Sequence, residues 1–197
     1  MSSALLYLPY LPNISWLQNF VKYETVCIER KENFVKSTLR NRCEIAGANG
    51  KQTLTIPLVG GRDHHQSYKE VRISYTENWQ KKHWQAIRSA YGSAPFFEFY
   101  ADKFQPFYER EFEFLFEFNI EMLKATLAVL KLNKNFEFNE LFEKNCYDRI
   151  DLRYDKSPTD IKYYQVFEER NGFIQNLCTL DLIFNEGNRS REILLVG

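Results

Sequence analysis

The sequence predicts an α+β domain in which a strand-rich N-terminal third, a small mixed sheet with a hairpin, packs against a predominantly helical C-terminal part. Three observations carry this expectation. Residues 25–29 (TVCIE) are a short bounded run rich in β-branched residues, the pattern of a buried strand. Residues 43–46 and 52–58 flank Ala48-Asn49-Gly50-Lys51, in which Asn-Gly supplies the positive φ angles that a tight hairpin turn needs. After Tyr75 the hydrophobic period lengthens from alternation to helical spacing, and strands followed by helices fit α+β better than a regular βαβ alternation.

Each element follows from local chemistry. Residues 4–7 are an apolar strand stopped by Pro9 and Pro12, and Asn13 is placed to cap a helix with Ile14, Leu17, Phe20 and Val21 on one stripe. This strand–helix–strand opening can supply one parallel pair through a right-handed crossover. Residues 60–67 (GGRDHHQS) read as a loop, and residues 68–75 as a strand with Val71, Ile73 and Tyr75 alternating. Asn78 or Thr76 caps a helix carrying Trp79, His83, Ala86, Ile87 and Ala90 on one face, and Gly92 closes it. Pro95 begins a short helical piece to residue 101, and Pro106 is expected to open a long helix to about Lys131 that absorbs the Phe/Glu alternation FYEREFEFLFEF. A further helix is expected at 139–147, a loop at 151–160, a turn at Gly172 and a helix at 177–184 that leaves through Glu186-Gly187.

Composition bounds the function. The 197 residues are expected to form a single domain, and 26 basic and 26 acidic side chains leave no net charge. With no overall field to attract a polyanion, binding of nucleic acid or of an anionic membrane loses its commonest signature. No run approaches the roughly 18 apolar residues of a membrane span, and the apolar beginning lacks a basic n-region and a cleavage site, so a cytoplasmic location is expected. Cys27, Cys43, Cys146 and Cys178 are isolated, which favours reduced, buried thiols over structural zinc. His64 and His65 lie in the Gly-rich loop without an evident third ligand, and no metal site is expected. The unusual number is aromatic: 17 Phe, 12 Tyr and 3 Trp must find a place.

Three groups of residues are candidates for chemistry. The run Lys36, Ser37, Thr38, Leu39, Arg40, Asn41, Arg42 lies between two strands, with Glu29 at the end of the first. Guanidinium and amide groups suit carboxylate or phosphate recognition, but no glycine run precedes Lys36, so this is not a P-loop. His83 shares a helical stripe with Trp79 and Ile87, where a histidine is ordinarily a hydrogen-bonded core residue, yet its usual pKa of about 6.5 suits acid–base work if it lines a cavity. Tyr91 lies eight residues on, near the same side of that helix. In the tail, Gln165, Asn176 and Asp181 stand among apolar residues, and each needs a partner if buried. No G-x-S-x-G elbow supports Ser-His-Asp catalysis.

The order of these motifs resembles the WbqC-like protein family. The resemblance is carried by Tyr7-Leu8-Pro9, Cys27-Ile28-Glu29, Asn33-Phe34-x-Lys36-Ser37 and Arg40-Asn41-Arg42-Cys43-x-Ile45, then by Gly47-Ala48-Asn49-Gly50 and Trp79-x-x-x-His83-x-x-x-Ile87-x-x-x-Tyr91-x-x-Ala94-Pro95-x-Phe97. It continues in Tyr164-Gln165-x-Phe167 and Gly172-Phe173-x-x-Asn176-Leu177, and ends in Leu180-Asp181-Leu182-x-Phe184-Asn185-Glu186-Gly187. The opening departs from the family's Gln-Pro-Asn-Tyr-Leu-Pro in lacking the leading glutamine. The resemblance implies a role in bacterial surface-polysaccharide (O-antigen) metabolism, with transfer of a small group to an activated or amino sugar and a nucleotide-linked sugar as partner. It implies no particular cofactor. It draws Lys36, Arg40, Asn41 and Arg42 together as substrate-binding residues with His83 and Tyr91 as catalytic ones, and adds Gln165, Asn176 and Asp181 as further binding candidates. The contrasting expectation is a non-catalytic binding or scaffold protein in which the same groups stabilise the fold.

Overall fold

The computed structural model describes residues 2–60, 66–142, 150–153 and 159–196; His64, His65 and Cys146 lie outside them. Strand β1 (Ser3–Leu6), helix α1 (Ile14–Lys22) and strand β2 (Thr25–Ile28) form the expected opening. The strands pair in parallel, Ser3 beside Thr25 and Leu6 beside Ile28. Asn13 caps α1 by accepting a hydrogen bond from the Trp16 N–H, and Ile14, Leu17 and Phe20 are buried. Strands β3 (Arg42–Gly47) and β4 (Gly50–Thr55) form the hairpin, with Arg42 opposite Thr55. Gly50 turns it at φ 103°, a conformation that a Cβ would strain.

The parallel sheet is completed from far along the chain. Strand β5 (Glu137–Phe138) adds beside β2 and β6 (Ile150–Asp151) beside β1, both in parallel. The order is therefore β5-β2-β1-β6. The chain steps outward from β1 through β2 to β5, then returns to the other side of β1. That reversal puts a topological switch point between β1 and β6, where open parallel sheets take ligands outside their carboxyl ends.

The helical part comprises α2 (Trp79–Tyr91), α3 (Phe97–Phe104), α4 (Leu115–Val129), the single turn α5 (Glu168–Asn171), α6 (Thr179–Glu186) and α7 (Arg189–Val196). Asn78 caps α2 and Gly92 ends it. Gly187 ends α6 at φ 56°, and a Cβ there would meet the Phe96 ring at 2.5 Å. Among the described residues no helix is long and apolar enough to cross a membrane. Cys27, Cys43 and Cys178 are buried.

Several expectations are corrected. Residues 68–75 do not form a strand: Tyr68–Glu70 is a 3₁₀ turn, because the buried Tyr68 hydroxyl donates to the Leu8 carbonyl and draws the chain inward. Pro106 opens no long helix; it sits in the 3₁₀ turn Gln105–Tyr108, and α4 begins at Leu115. After a turn at Glu109 and Arg110, the chain runs against residues 71–73, with Ile73 N–H donating to Glu113 O and Leu115 N–H to Val71 O. The Phe/Glu alternation thus begins in the 3₁₀ turn, is strand-like around Glu113 and Phe114, and is helical from Leu115. Phe107 and Phe112 stack, and both meet Phe118 edge-on, which places much of the aromatic excess in one core. In the segment expected to be helical at 139–147, β5 ends just before Asn139 and residues 139–142 are not helical; the rest lies outside the described residues. The last expected helix starts two residues later than predicted, and α7 was not anticipated.

Candidate functional site

The parallel strands all deliver polar side chains to their carboxyl ends. Glu29 follows β2, Asn139 follows β5, and Asp151 and Arg153 end and follow β6. Glu29 is inaccessible to solvent. Its Oε1 accepts from the Lys31 backbone N–H and the Asn139 amide, and its Oε2 from Arg153 Nη1 at 3.1 Å. Arg153 also holds Asp151 in a two-point fork, Nε to Oδ1 at 2.9 Å and Nη2 to Oδ2 at 2.6 Å. The Asn139 Oδ1 accepts from the Arg30 N–H, so this amide is fixed at both ends.

A second fork lies beside the first. Arg40 donates from Nε and Nη2 to the two oxygens of Glu32 at 2.6 and 2.7 Å, with both side chains only 2% exposed. The guanidinium lies 4.9 Å from the centre of the Tyr7 ring at the end of β1. The Asn119 amide donates to the Arg40 carbonyl and to the Tyr68 hydroxyl, and Tyr10 N–H donates to Leu39 O. These bonds tie the polar run across the exit of β1. Burial pushes the Glu32 carboxyl up despite Arg40, whereas its hydrogen bonds with Arg153 hold the Asp151 carboxyl below the usual range. Buried ion pairs lose several kcal/mol per ion in desolvation and are often no more stabilising than apolar groups of the same volume. Stability alone does not call for two of them at this edge.

Between the ends of β1 and β6, at the start of α1, Tyr7, Asn13, Ser15, Trp16, Asn19 and Leu152 line a crevice with a cavity of about 10 Å³, room for one water. Asn176 reaches this rim: its Oδ1 accepts from the Ser15 N–H at 2.9 Å and its amide donates to Ser15 Oγ at 3.1 Å.

The other sequence candidates are distributed as follows. Lys36 and Arg42 are part-exposed on the polar run, and the buried Asn41 donates its amide to Ile56 O at 3.1 Å. His83 points into the aromatic core, with Nδ1 3.1 Å from the Tyr10 hydroxyl, which in turn meets Tyr108 at 2.8 Å. Burial lowers its pKa to about 4 despite a hydrogen bond to the Thr55 backbone, leaving a neutral imidazole. Tyr91, Gln165 and Asp181 are brought together beneath α6. Asp181 accepts from Tyr163 OH at 2.7 Å and Gln165 Nε2 at 3.0 Å, and Tyr91 OH accepts from the Ala46 N–H. Burial raises the Asp181 pKa to about 6, against the opposing pull of Tyr163, Tyr91 and Gln165. Among the described residues no group of three or more His, Cys, Asp or Glu side chains is placed to hold a metal ion.

Sequence reasoning missed Glu32, Asn119, Asn139, Asp151 and Arg153. Asn139 and Arg153 follow two-residue strands, too short to show a period, so only the polar residue at the end of β2 carried a readable signal.

Comparison with known proteins agrees with the motif order. A family model described as the WbqC-like protein family matches residues 9–149. The chain is 26% identical to the uncharacterised Mycobacterium tuberculosis protein Rv1507c, over 94% of this chain and 91% of that one. No solved structure matches.

Proposed function

Taking as premise that the chain belongs to the WbqC-like protein family, we propose that it binds a small polar metabolite bearing a carboxylate or phosphoryl group at the carboxyl ends of the parallel strands. Within the family's association with surface polysaccharides, the substrate class is an activated or amino sugar and the reaction the transfer of a small group to it. The observation that carries the reading is a pair of guanidinium–carboxylate forks at the carboxyl ends of the strands, Arg40–Glu32, buried on both sides, and Arg153–Asp151, in which the guanidinium is buried and the carboxylate part-exposed. Preorganised cations at such an edge suit an anionic group. Lys36 and Arg42, part-exposed on the same run, would meet the outer part of a longer ligand, with the buried Asn41 holding the run to Ile56. The β1–α1 connection holds no glycine, so a dinucleotide pyrophosphate in the Rossmann manner is not the expected ligand.

A second reading, a binding protein without chemistry, is favoured by one observation. His83, the best acid–base candidate by sequence, is neutral and enclosed by Tyr10, Trp79 and Tyr108. In the group-transfer reading His83, Tyr91, Gln165 and Asp181 support the site from behind the hairpin.

The test is a thermal-shift screen of the wild-type chain against nucleotide sugars, sugar phosphates, sugar acids and acyl donors, followed by amide NMR mapping of each hit. A ligand of the folded form raises the melting temperature and is expected to move the signals of Tyr7, Asn13, Asn19 and Leu152. No stabilising compound, or hits that leave those signals in place, would sink the proposal. Turnover of a bound donor and sugar separates the enzyme from the binder.

A further inference from the structure

Arg153 follows Leu152 of the crevice rim at the carboxyl end of β6. Arg153 is 1% exposed, while the Asp151 carboxylate in its fork is 30% exposed and faces solvent. The half-exposed Phe142 ring lies 5.5 Å from the guanidinium. The deep side of Arg153 belongs to Glu29. One guanidinium therefore stands between two carboxylates. An anion that merely added to this group would face both of them, whereas one that replaced Asp151 would keep the charge balance and recover the same two-point geometry. The Asp151 side chain is already part-exposed on a two-residue strand, so a displaced carboxylate moves directly into water; leaving the fork also gives up the bond that its Oδ1 accepts from the Arg153 backbone N–H at 3.1 Å.

Resting on the binding reading above, we infer that the Asp151 carboxylate is a placeholder for the anionic group of the ligand: the carboxylate or phosphoryl oxygens displace it from the Arg153 fork, and Asp151 swings into water. Asp151 is then a specificity-determining residue that sets a threshold for binding, since every ligand must compete with a tethered carboxylate. The ligand class is a sugar carrying a carboxylate or a phosphate monoester, because both present two acceptor oxygens to a fork.

The experiment uses the full chain and two probes, glucuronate for the carboxylate and glucose 1-phosphate for the phosphoryl group. Affinity is measured by calorimetry, and the Arg153 Nε–H resonance is followed by NMR. Asp151→Asn vacates the charge without changing shape and is expected to bind at least one probe about tenfold more tightly than wild type. Asp151→Glu restores a carboxylate and is expected to return affinity towards wild type. Glu140→Gln removes an exposed carboxylate paired with Arg30, outside the fork, and is expected to change affinity less than about twofold, as a screened surface charge does. The probe that gains distinguishes carboxylate from phosphoryl recognition. Equal or weaker binding by D151N, an equal gain in E140Q, or no binding by any variant overturns the placeholder. A screen hit mapping to the rim with no gain in D151N removes only the placeholder. A D151N gain with no stabilising ligand for wild type keeps the fork and removes the wider reading.

Discussion

Glu29 and Asp181 are both inaccessible carboxylates, and the molecule treats them in opposite ways. At the edge of the parallel sheet, Glu29 receives a guanidinium, an amide and a backbone N–H. Beneath α6, Asp181 receives neutral donors from Tyr163 and Gln165, and its Oδ1 is without a hydrogen-bond partner. The first solution surrounds a buried carboxylate at the sheet edge with a cation and two neutral donors. The second leaves a carboxyl that takes up a proton at about pH 6. Charge at the sheet edge and titration in the helical core are thus separate properties, and each can be removed without the other.

The largest expected effect comes from breaking the charged edge. Arg40→Met leaves the Glu32 carboxylate buried without its cation, and unpaired buried charges cost about 3–5 kcal/mol. The double variant Arg40→Met, Glu32→Met replaces the pair by apolar volume and is expected to return within about 1 kcal/mol of wild type. Urea unfolding of wild type, both single variants and the double variant gives the cycle. A double variant as unstable as the worse single one would mean that the fork contributes to the fold beyond its own pairing.

Next come the titrating core residues, whose signs oppose. His83 has a folded pKa of about 4 against an ordinary 6.5. The unfolded chain binds that proton better, so its contribution is full above pH 6.5 and is lost as pH falls towards 4. Asp181 has a folded pKa of about 6 against 3.8. Here the folded chain binds the proton better, so the contribution is full below 3.8 and is lost as pH rises through 6. Each amounts to about 3 kcal/mol across its window, and in wild type they nearly cancel. Asp181→Asn is expected to unmask the His83 slope, stability rising from pH 4 to 6.5. His83→Gln is expected to unmask the opposite slope. Denaturant titrations every half pH unit check both; parallel profiles for the three proteins would show that neither group titrates in the fold.

The same contrast explains what the sequence made legible. The hairpin, α1 with its Asn13 cap, and α2 between Asn78 and Gly92 were readable because turn chemistry and capping act within a few residues. Tyr91 was singled out for its place two turns beyond His83, and Gln165 and Asp181 as polar residues among apolar ones in the tail; the structure sets these three side by side, a grouping the sequence did not suggest. The charged edge was half legible. Glu29 and Arg40 stood beside clear strands, but Asn139, Asp151 and Arg153 reach the site only because two-residue strands dock more than a hundred residues later in the chain. No local pattern records that pairing. The Phe/Glu alternation shows the same limit: Glu113 and Phe114 are strand-like because residues 71–73 need partners, a demand from outside the segment.

The smallest predicted effect distinguishes a ligand-binding role of Asn176 from a structural one. Its backbone is left-handed, φ 57°, and its side chain satisfies the Ser15 N–H in the first turn of α1. Asn176→Gly keeps the conformation and loses the cap, a cost of about 1 kcal/mol. Asn176→Ala loses the cap and adds the left-handed strain of a Cβ, about 1 kcal/mol more. Asn176→Asp retains the accepting oxygen at a helix N-terminus, where negative charge is favoured, and is expected to stay within about 0.5 kcal/mol of wild type. Melting curves rank the three. If Asn176 served only a ligand, the glycine variant would melt with wild type in the absence of any ligand, and the rim of the crevice would owe its shape to the β1–α1 connection alone.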